Sequence, residues 1–563
     1  MHLSWEIQMK EKIVEILAKE IRLSKEEIGK MIENPPEIEM GDYSFPCFLL
    51  AKTEKKSPLL IAEDLTQKLR KRLPKEISNV GFKSGYVNFF VDKKILANEI
   101  LKEAMKKDFG KSNIGKSKKI VIDMSAPNIA KPFGVGHLRS TIIGESISKI
   151  AEFNGFKCVK INYLGDWGTQ FGKLILGYKK WGNESKLKKD ALSHLQEIYV
   201  KVNSDEGLDD EAREEFRKLE NGDQENLKLW KEFKELSLKK FDEIYELLGI
   251  KFDVISGESN YNDKMGAIIK LLEKKKLLID SDDAKIIDLK DKGLGVVLIQ
   301  KKDGTSLYAT RDIAAAIERY KKYKFDKLIY EVGSEQTLHF KQFFYVLELL
   351  GYEWAKECVH VSHGLYLDND GKKFSTRKGK TVYMQDILNE TIEKAEQNLS
   401  KREVLDKEDA AKRARVIALA AIKYGDLKNY RENNMIFDID RFLQFEGDTG
   451  PYLLYSYARA SSIIRKVKSQ KKVNLLDLKN EEIKLLKKIN DFPEIIKRAY
   501  ESLAPNLVAN YCFELCQLFN EFYHSCPVLG SEEEGFRLRL VDCFKGVLKT
   551  GLGLLGIDVL EEM

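Results

Sequence analysis

The sequence predicts an α/β protein. A doubly wound parallel sheet forms its centre, an α+β domain precedes the sheet and an all-α domain follows it. Three observations carry this. Residues 119–163 read in succession as strand, loop, helix and strand. Strand patterns at 296–300 and 328–332 enclose a helical one at 312–323. Beyond about residue 381 the periodicity is almost entirely helical.

The run 119–125 is β-branched and apolar, the composition of a buried strand. A loop follows over 126–136, and a helix opens near His137, with Ile142, Ile143, Ile147 and Ile150 on its inner side. The next strand covers 158–163. This order opens a Rossmann-like nucleotide-binding fold. The central domain is assigned to 118–380, with a charged helical insertion over about 175–290. Residues 1–110 combine Ile13, Ile16 and Leu17 at helical spacing with a strand at 86–91, and make the α+β domain. A Lys/Gly/Ser stretch at 110–119 reads as a linker. Residues 381–563 make a helical stem and terminal domain.

With 563 residues, 43% of them apolar, the chain can bury its cores without disulfide or metal staples. The first ten residues carry charges where a signal peptide has its apolar stretch, and no run of 18 apolar residues occurs. The expectation is a cytoplasmic protein without membrane contact. The seven cysteines are an odd number and form no C-x-x-C pair, which argues against a disulfide framework and against zinc. Cys512 and Cys516 lie one helical turn apart among Leu515, Leu518 and Phe519, and read as core. The net charge of +6 says little, but residues 459–498 hold 12 Lys/Arg against 5 Asp/Glu, a local excess of +7 (12 − 5). Such a patch suits a polyanion; a solvated helix face carries the same pattern.

Two motifs are set aside. GKSNIGKS at 110–117 matches the phosphate-loop pattern, but a helical pattern precedes it and a strand follows. The mechanism needs the opposite order, so that helix-terminal N–H groups face the phosphates. His360 and His363, in HVSH, have no third ligand in view and read as structural.

The chemistry concentrates in DMSAPNIAKPFGVGHLRSTIIG, beginning at Asp123. It reads as a strand end, a proline-stiffened loop, a Gly-x-Gly-His turn and a helix start. The turn lets a flat base approach the backbone at Gly134 and Gly136. The helix start offers N–H groups and a positive dipole to phosphate, with His137 as a side-chain donor and Lys131 as a positive charge. A second segment, GKKFSTRKGK at 371–380, packs five cationic side chains into a glycine-bounded loop suited to a triphosphate. Alone, each segment also reads blandly, as a helix cap and a charged surface loop.

Together these segments resemble the arginyl-tRNA synthetase family. SAPNIAKPFGVGHLRSTIIG is similar to that family's form of the class I His-Ile-Gly-His signature, and KFSTRKG to its Lys-Met-Ser-Lys-Ser loop. YLGDWGTQFG, LYATRDIAAAIER, VGSEQTLHF and FEGDTGPYLLYSYAR resemble further family segments, in the right order. MGDYSFPCFLLAK and GYVNFF resemble its extra N-terminal domain, and GLGLLGIDVLEEM its ending. Two positions depart from the signatures: Gly134 stands where the first His belongs, and Thr376 where the second Lys of the loop belongs.

The resemblance implies ATP-dependent activation of L-arginine to the adenylate and its transfer to the 3′-terminal ribose of tRNA(Arg), releasing AMP and pyrophosphate. It implies ATP with Mg²⁺, no zinc, a class I catalytic domain, an anticodon-binding C-terminal domain and a monomer. The signature loop comprises Pro127, Asn128, Ile129, Ala130, Lys131, Pro132, Phe133, Gly134, Val135, Gly136 and His137. Lys373, Ser375 and Arg377 join Lys131, Gly134, Gly136 and His137 around ATP. Asp123, Ser125, Asn128, Tyr308, Asp312 and Gln336 fall to arginine, with Asp123 and Asp312 on the guanidinium. Tyr86 and Asn88 fall to the tRNA elbow, and Tyr452, Tyr455, Arg459 and Met563 to the anticodon region. A non-catalytic tRNA-binding paralogue and a small-substrate nucleotidyl transferase compete with this reading. His137, Lys373 and the acids oppose the first, and the basic helical tail opposes the second.

Overall fold

The computed structural model describes residues 5–35, 40–281, 284–301, 308–374, 376–377, 380–401, 406–467, 473 and 477–563. Among them, parallel strands form the central sheet in the order Cys358–His363, Lys327–Gly333, Lys119–Asp123, Lys157–Leu164 and Val254–Gly257. The chain begins in the middle of this sheet, winds outward to one edge, then returns to build the other. The strand order therefore reverses between Lys119–Asp123 and Lys327–Gly333, and ligands of such sheets bind at the carboxyl ends there.

Side-chain alternation along Lys119–Asp123 separates two cores. Ile120 and Ile122 pack with Leu138 and Ile142 of the helix Val135–Phe153, whereas Val121 packs with Ile313 and Phe343 on the opposite face. The helix Val135–Phe153 buries polar residues as well, among them Arg139, Ser140, Thr141, Glu145 and Ser146, because helices of the C-terminal domain cover its other side. Three side chains tie these units together. Ser146 Oγ donates to the Leu554 carbonyl at 3.0 Å, and Arg139 Nη1 to the Asn433 carbonyl at 2.8 Å. Lys423 Nζ, buried on the stem helix Lys407–Leu427, donates to the carbonyls of Leu248 and Gly556.

The strand read at 296–300 exists, as Val296–Lys301, but lies in a separate antiparallel sheet with Ile279–Ser281 and Ala284–Asp288. Leu298 is 52% exposed, which a central strand would not allow. The position beside Lys157–Leu164 belongs to Val254–Gly257, which lies inside the span read as a helical insertion. Between these two strands run the helices Thr169–Trp181, Glu184–Lys189, Ala191–Asn203, Asp209–Glu220 and Gln224–Leu248.

The N-terminal unit carries the helix Trp5–Leu17 and an antiparallel sheet with Tyr86–Val91 between Tyr43–Pro46 and Ile77–Lys83. The phosphate-loop look-alike is a linker. Its Ser112 and Ser117 N–H groups bond to the Phe153 and Gly155 carbonyls, and the strand Lys119–Asp123 follows directly. Cys512 and Cys516 are buried on the helix Asn506–Ser525.

Candidate active site

The loop 124–134 leaves the carboxyl end of Lys119–Asp123 at the switch point. Ser125, Ala126 and Ala130 adopt left-handed backbone, with φ of 74°, 47° and 58°. Each such residue costs about 1–2 kcal/mol, so the surroundings must hold the loop. They do: the Ser125 N–H donates to Ser140 Oγ at 2.9 Å, the Ala130 N–H to Ser237 Oγ at 2.8 Å and the Ile129 N–H to the Gly165 carbonyl at 3.2 Å. Pro127 returns the contact by accepting from the Gly165 N–H at 3.1 Å. A Cβ on Gly165 would lie 2.0 Å from Asn128 Oδ1, so any larger residue there would push the Asn128 amide out of its place. The loop ends where the Phe133 carbonyl accepts from the Met384 N–H at 2.9 Å.

This network corrects the expectation for Ser125. Its hydroxyl is 2.8 Å from the Tyr245 hydroxyl and accepts from Thr141 at 2.9 Å, so it is a buried tie within the loop and not an open substrate contact.

A pocket opens beyond the loop, lined by Gly134, Gly136, Arg139, His363, Tyr366 and Lys373. A Cβ on Gly136 would meet nothing within 4 Å, and one on Gly134 would lie 3.7 Å from His137 Nδ1. Gly134 has φ −76° and ψ 155°, which any residue adopts. These glycines therefore leave space for a ligand and are not demanded by the backbone. His137 is partly buried with its Nδ1 enclosed and unpartnered, and burial pushes the ring down to about 4. The ring is neutral at pH 7 and keeps one N–H donor.

Lys373 reaches the pocket but pairs with Glu335 at 3.0 Å, an exposed contact of at most about 1 kcal/mol that a polyphosphate would displace. Lys131 is not at this wall: its ammonium lies 4.9 Å over the Tyr199 ring of the helix Ala191–Asn203. Ser375 lies outside the described residues. Arg377 belongs to the short strand Thr376–Arg377, and its side chain is likewise outside them.

Across the sheet edge lies a cluster of carboxylates. Asp312, on the helix Tyr308–Tyr323, is a quarter exposed and 2.8 Å from His339 Nε2. Glu258 was not anticipated, because the strand that delivers it, Val254–Gly257, was hidden among charged residues. Burial pushes the Glu258 carboxyl up; Arg311 opposes this, Asp312 and Asp166 add to it, and the result is about 7. Asp123 is also here, but its carboxylate is 2.7 Å from the guanidinium of Arg319, and both groups are buried. Asp123 thus pairs through Oδ2 with an arginine of the chain itself. Arg319 in turn lies over the rings of Tyr163 and Tyr330, at 5.0 and 5.5 Å, whose buried hydroxyls have no hydrogen-bond partner among the described residues. Gln336 is exposed just past the strand Lys327–Gly333. Tyr308 opens its helix, with its side chain outside the described residues.

Three family models match the chain. "tRNA synthetases class I (R), catalytic domain" covers residues 98–439, "Arginyl tRNA synthetase N terminal domain" 8–91 and "DALR anticodon binding domain" 453–563. The chain is 44% identical to arginine–tRNA ligases of Clostridium botulinum and Clostridium perfringens, over 98% of its length and 99% and 100% of theirs. The chain belongs to the arginyl-tRNA synthetases. It is therefore a ligase of translation that joins arginine to tRNA. The arginyl-tRNA synthetase structures from Thermus thermophilus and Plasmodium falciparum superpose with TM-scores of 0.79 and 0.76. They are 25% and 27% identical; the matches cover 99% and 94% of this chain and 100% and 94% of those chains.

In the synthetase's C-terminal domain, Tyr455, Arg459 and Met563 share one groove with Tyr523, Arg413 and Lys466. The Arg459 guanidinium lies 4.9 Å over both the Tyr455 and Tyr523 rings, and Tyr455 is 40% exposed. Tyr452 is outside this groove: its hydroxyl accepts from Asn520 Nδ2 at 2.8 Å, and its ring packs on Phe513. In the N-terminal unit Tyr86 is partly exposed against Phe48, whereas Asn88 is buried at 5% exposure on the central strand, a correction to its reading as a surface contact.

Proposed function

We propose that arginine and ATP meet at the switch point, each on one side of the carboxyl ends of Lys119–Asp123 and Lys327–Gly333. The observation that carries this reading is that the glycine-walled pocket and the acidic cluster flank the same two strands. The guanidinium faces Asp312 and Glu258, whose paired negative charge matches a planar cation. Asp123 acts behind them by fixing Arg319 and, through it, the Tyr163 and Tyr330 rings. Asn128 and Gln336 hold the amino and carboxylate end. The base lies on Gly134 and Gly136, and the phosphates face the N–H groups opening Val135–Phe153.

An arginine carboxylate oxygen attacks the α-phosphorus, forming one P–O bond while the bond to the β-phosphate oxygen breaks and pyrophosphate leaves. The tRNA terminal hydroxyl then attacks the acyl carbon, its proton is lost and AMP departs. No enzyme nucleophile takes part, so positioning and charge do the work. His137 donates to phosphate, and Lys373 exchanges Glu335 for the triphosphate. ATP enters as its Mg²⁺ complex, and the reading needs no zinc. One chain carries pocket, acids and groove, which supports action as a monomer in the cytoplasm. Charging of total tRNA, tried with each of the twenty amino acids, tests the reading; charging with an amino acid other than arginine overturns it.

Two expected results follow. The raised Glu258 is neutral below about pH 7 and charged above it. The kcat/KM for arginine, which reports groups of the free enzyme, therefore rises as pH increases through about 7. Glu258→Gln flattens that rise at the lower value, and an unchanged profile removes Glu258 from the site. In the C-terminal groove, Tyr455→Ala removes stacking of about 1–3 kcal/mol and raises the KM for tRNA more than that for arginine. Arg459→Ala weakens tRNA binding and lowers the slope of affinity against salt. Filter binding across a salt series measures both, and parental binding by both variants gives the groove another role.

A further inference from the structure

The pocket assigned to ATP has one bare wall and one loaded wall. Gly134 contributes no side chain, although its backbone would accept one. Opposite it the strand Cys358–His363 ends in His363, which lines the same pocket and is 7% exposed. Strand register places His363 beside Gly333 and, two positions back, Val361 beside Glu331, so His363 and Glu331 share one face of the sheet. His363 Nδ1 is 2.9 Å from Glu331 Oε1. The Glu331 carboxylate is fully buried, and its Oε2 has no hydrogen-bond partner among the described residues. The other ring nitrogen, Nε2, makes no hydrogen bond among the described residues and sits at the strand end, 3.6 Å from where a Cβ on Gly333 would be.

A buried carboxylate with half its bonding capacity unused, aligned on a ring whose far nitrogen is idle, is a costly arrangement for structure alone. It is the arrangement of an oriented donor awaiting an acceptor. We infer that His363 is a catalytic residue that donates from Nε2 to a phosphate oxygen of ATP, with Glu331 holding its ring. This rests on the placement of ATP in this pocket. With the triphosphate present Nδ1 faces Glu331 and Nε2 faces the phosphate oxygen. His363 thereby supplies, from the facing strand, the side-chain donor that Gly134 does not.

The test separates a donor from a structural tie. His363→Asn puts an amide where Nδ1 was, keeping the bond to Glu331 and removing Nε2. His363→Gln puts the amide where Nε2 was and gives up Glu331. ATP–pyrophosphate exchange with tRNA present is measured for both. H363N is expected to lose about 10²-fold in kcat, the scale for removing one transition-state donor, with an unchanged KM for arginine, and H363Q is expected to retain more activity than H363N. Gly134→His in the H363N background is expected to recover about tenfold, since a Cβ at 134 meets His137 at ordinary distance. Glu331→Gln, which keeps a partner for the ring but not the charge, lowers kcat without H363N being needed. Parental activity in H363N or E331Q, or an impaired H363N that neither H363Q nor G134H improves upon, overturns the inference. His137→Ala is the control: if it too leaves the ATP kinetics unchanged, the placement of ATP is what fails.

Discussion

Asp312→Asn lowers kcat/KM for arginine by about 10²-fold or more, the equivalent of one charge-assisted hydrogen bond of about 3 kcal/mol. The substitution keeps the side chain's shape and removes its charge. Asp312 is a quarter exposed at the start of its helix, and His339 fixes its orientation from the side, so the carboxylate is already aimed before arginine arrives. The loss falls on arginine alone, because the glycine-walled pocket shares no lining residue with this cluster. Initial rates at varied arginine and saturating ATP measure it, and parental kinetics withdraw Asp312 from the guanidinium site. Asp123→Asn has a different signature: it leaves Arg319 without its buried counter-charge, so folding stability falls together with activity.

Asp426→Ala destabilises the protein by about 3–5 kcal/mol, the cost of leaving one member of a buried charge pair alone. Arg139 and Asp426 are 1% and 2% exposed and 3.4 Å apart, and Tyr366 also donates its hydroxyl to Asp426. Arg139 comes from the helix Val135–Phe153, Asp426 from the stem helix and Tyr366 from the strand leading to the basic loop. Losing Asp426 therefore loosens three elements around the glycine-walled pocket at once. Urea unfolding reads the stability, and the ATP KM reads the pocket. The paired replacement Arg139→Met with Asp426→Leu leaves no buried charge and recovers part of the stability but not the ATP affinity. An Asp426→Ala protein as stable as its parent contradicts the account.

The parts legible in the sequence were those whose signal is local. The strand Lys119–Asp123, the loop after it and the helix Val135–Phe153 announce themselves through β-branched residues, proline, glycine and helical period. Helical character beyond residue 381 is equally local. Val254–Gly257 was hidden because four residues between charged segments carry no period, and Glu258 was hidden with it. Val296–Lys301 read correctly as a strand, but a pattern does not say which sheet a strand joins. The readings of Asp123, Ser125 and Asn88 share one blind spot: residue type shows what a side chain can bind, and only packing shows that Arg319 or Tyr245 also holds it, or that it is buried.

The carbonyls of Leu554 and Gly556 give this enzyme a timetable. They receive Ser146 and Lys423 beneath the helix Val135–Phe153. A ribosome adds about 5–20 residues per second, so the interval between making Ser146 and making Gly556 is on the order of a minute. Throughout that interval the Ser146 hydroxyl lacks its acceptor, and the Lys423 ammonium, once made, waits for the Gly556 carbonyl. Domains made early usually fold early; here the central one cannot complete these two bonds until Leu554 and Gly556 have been made.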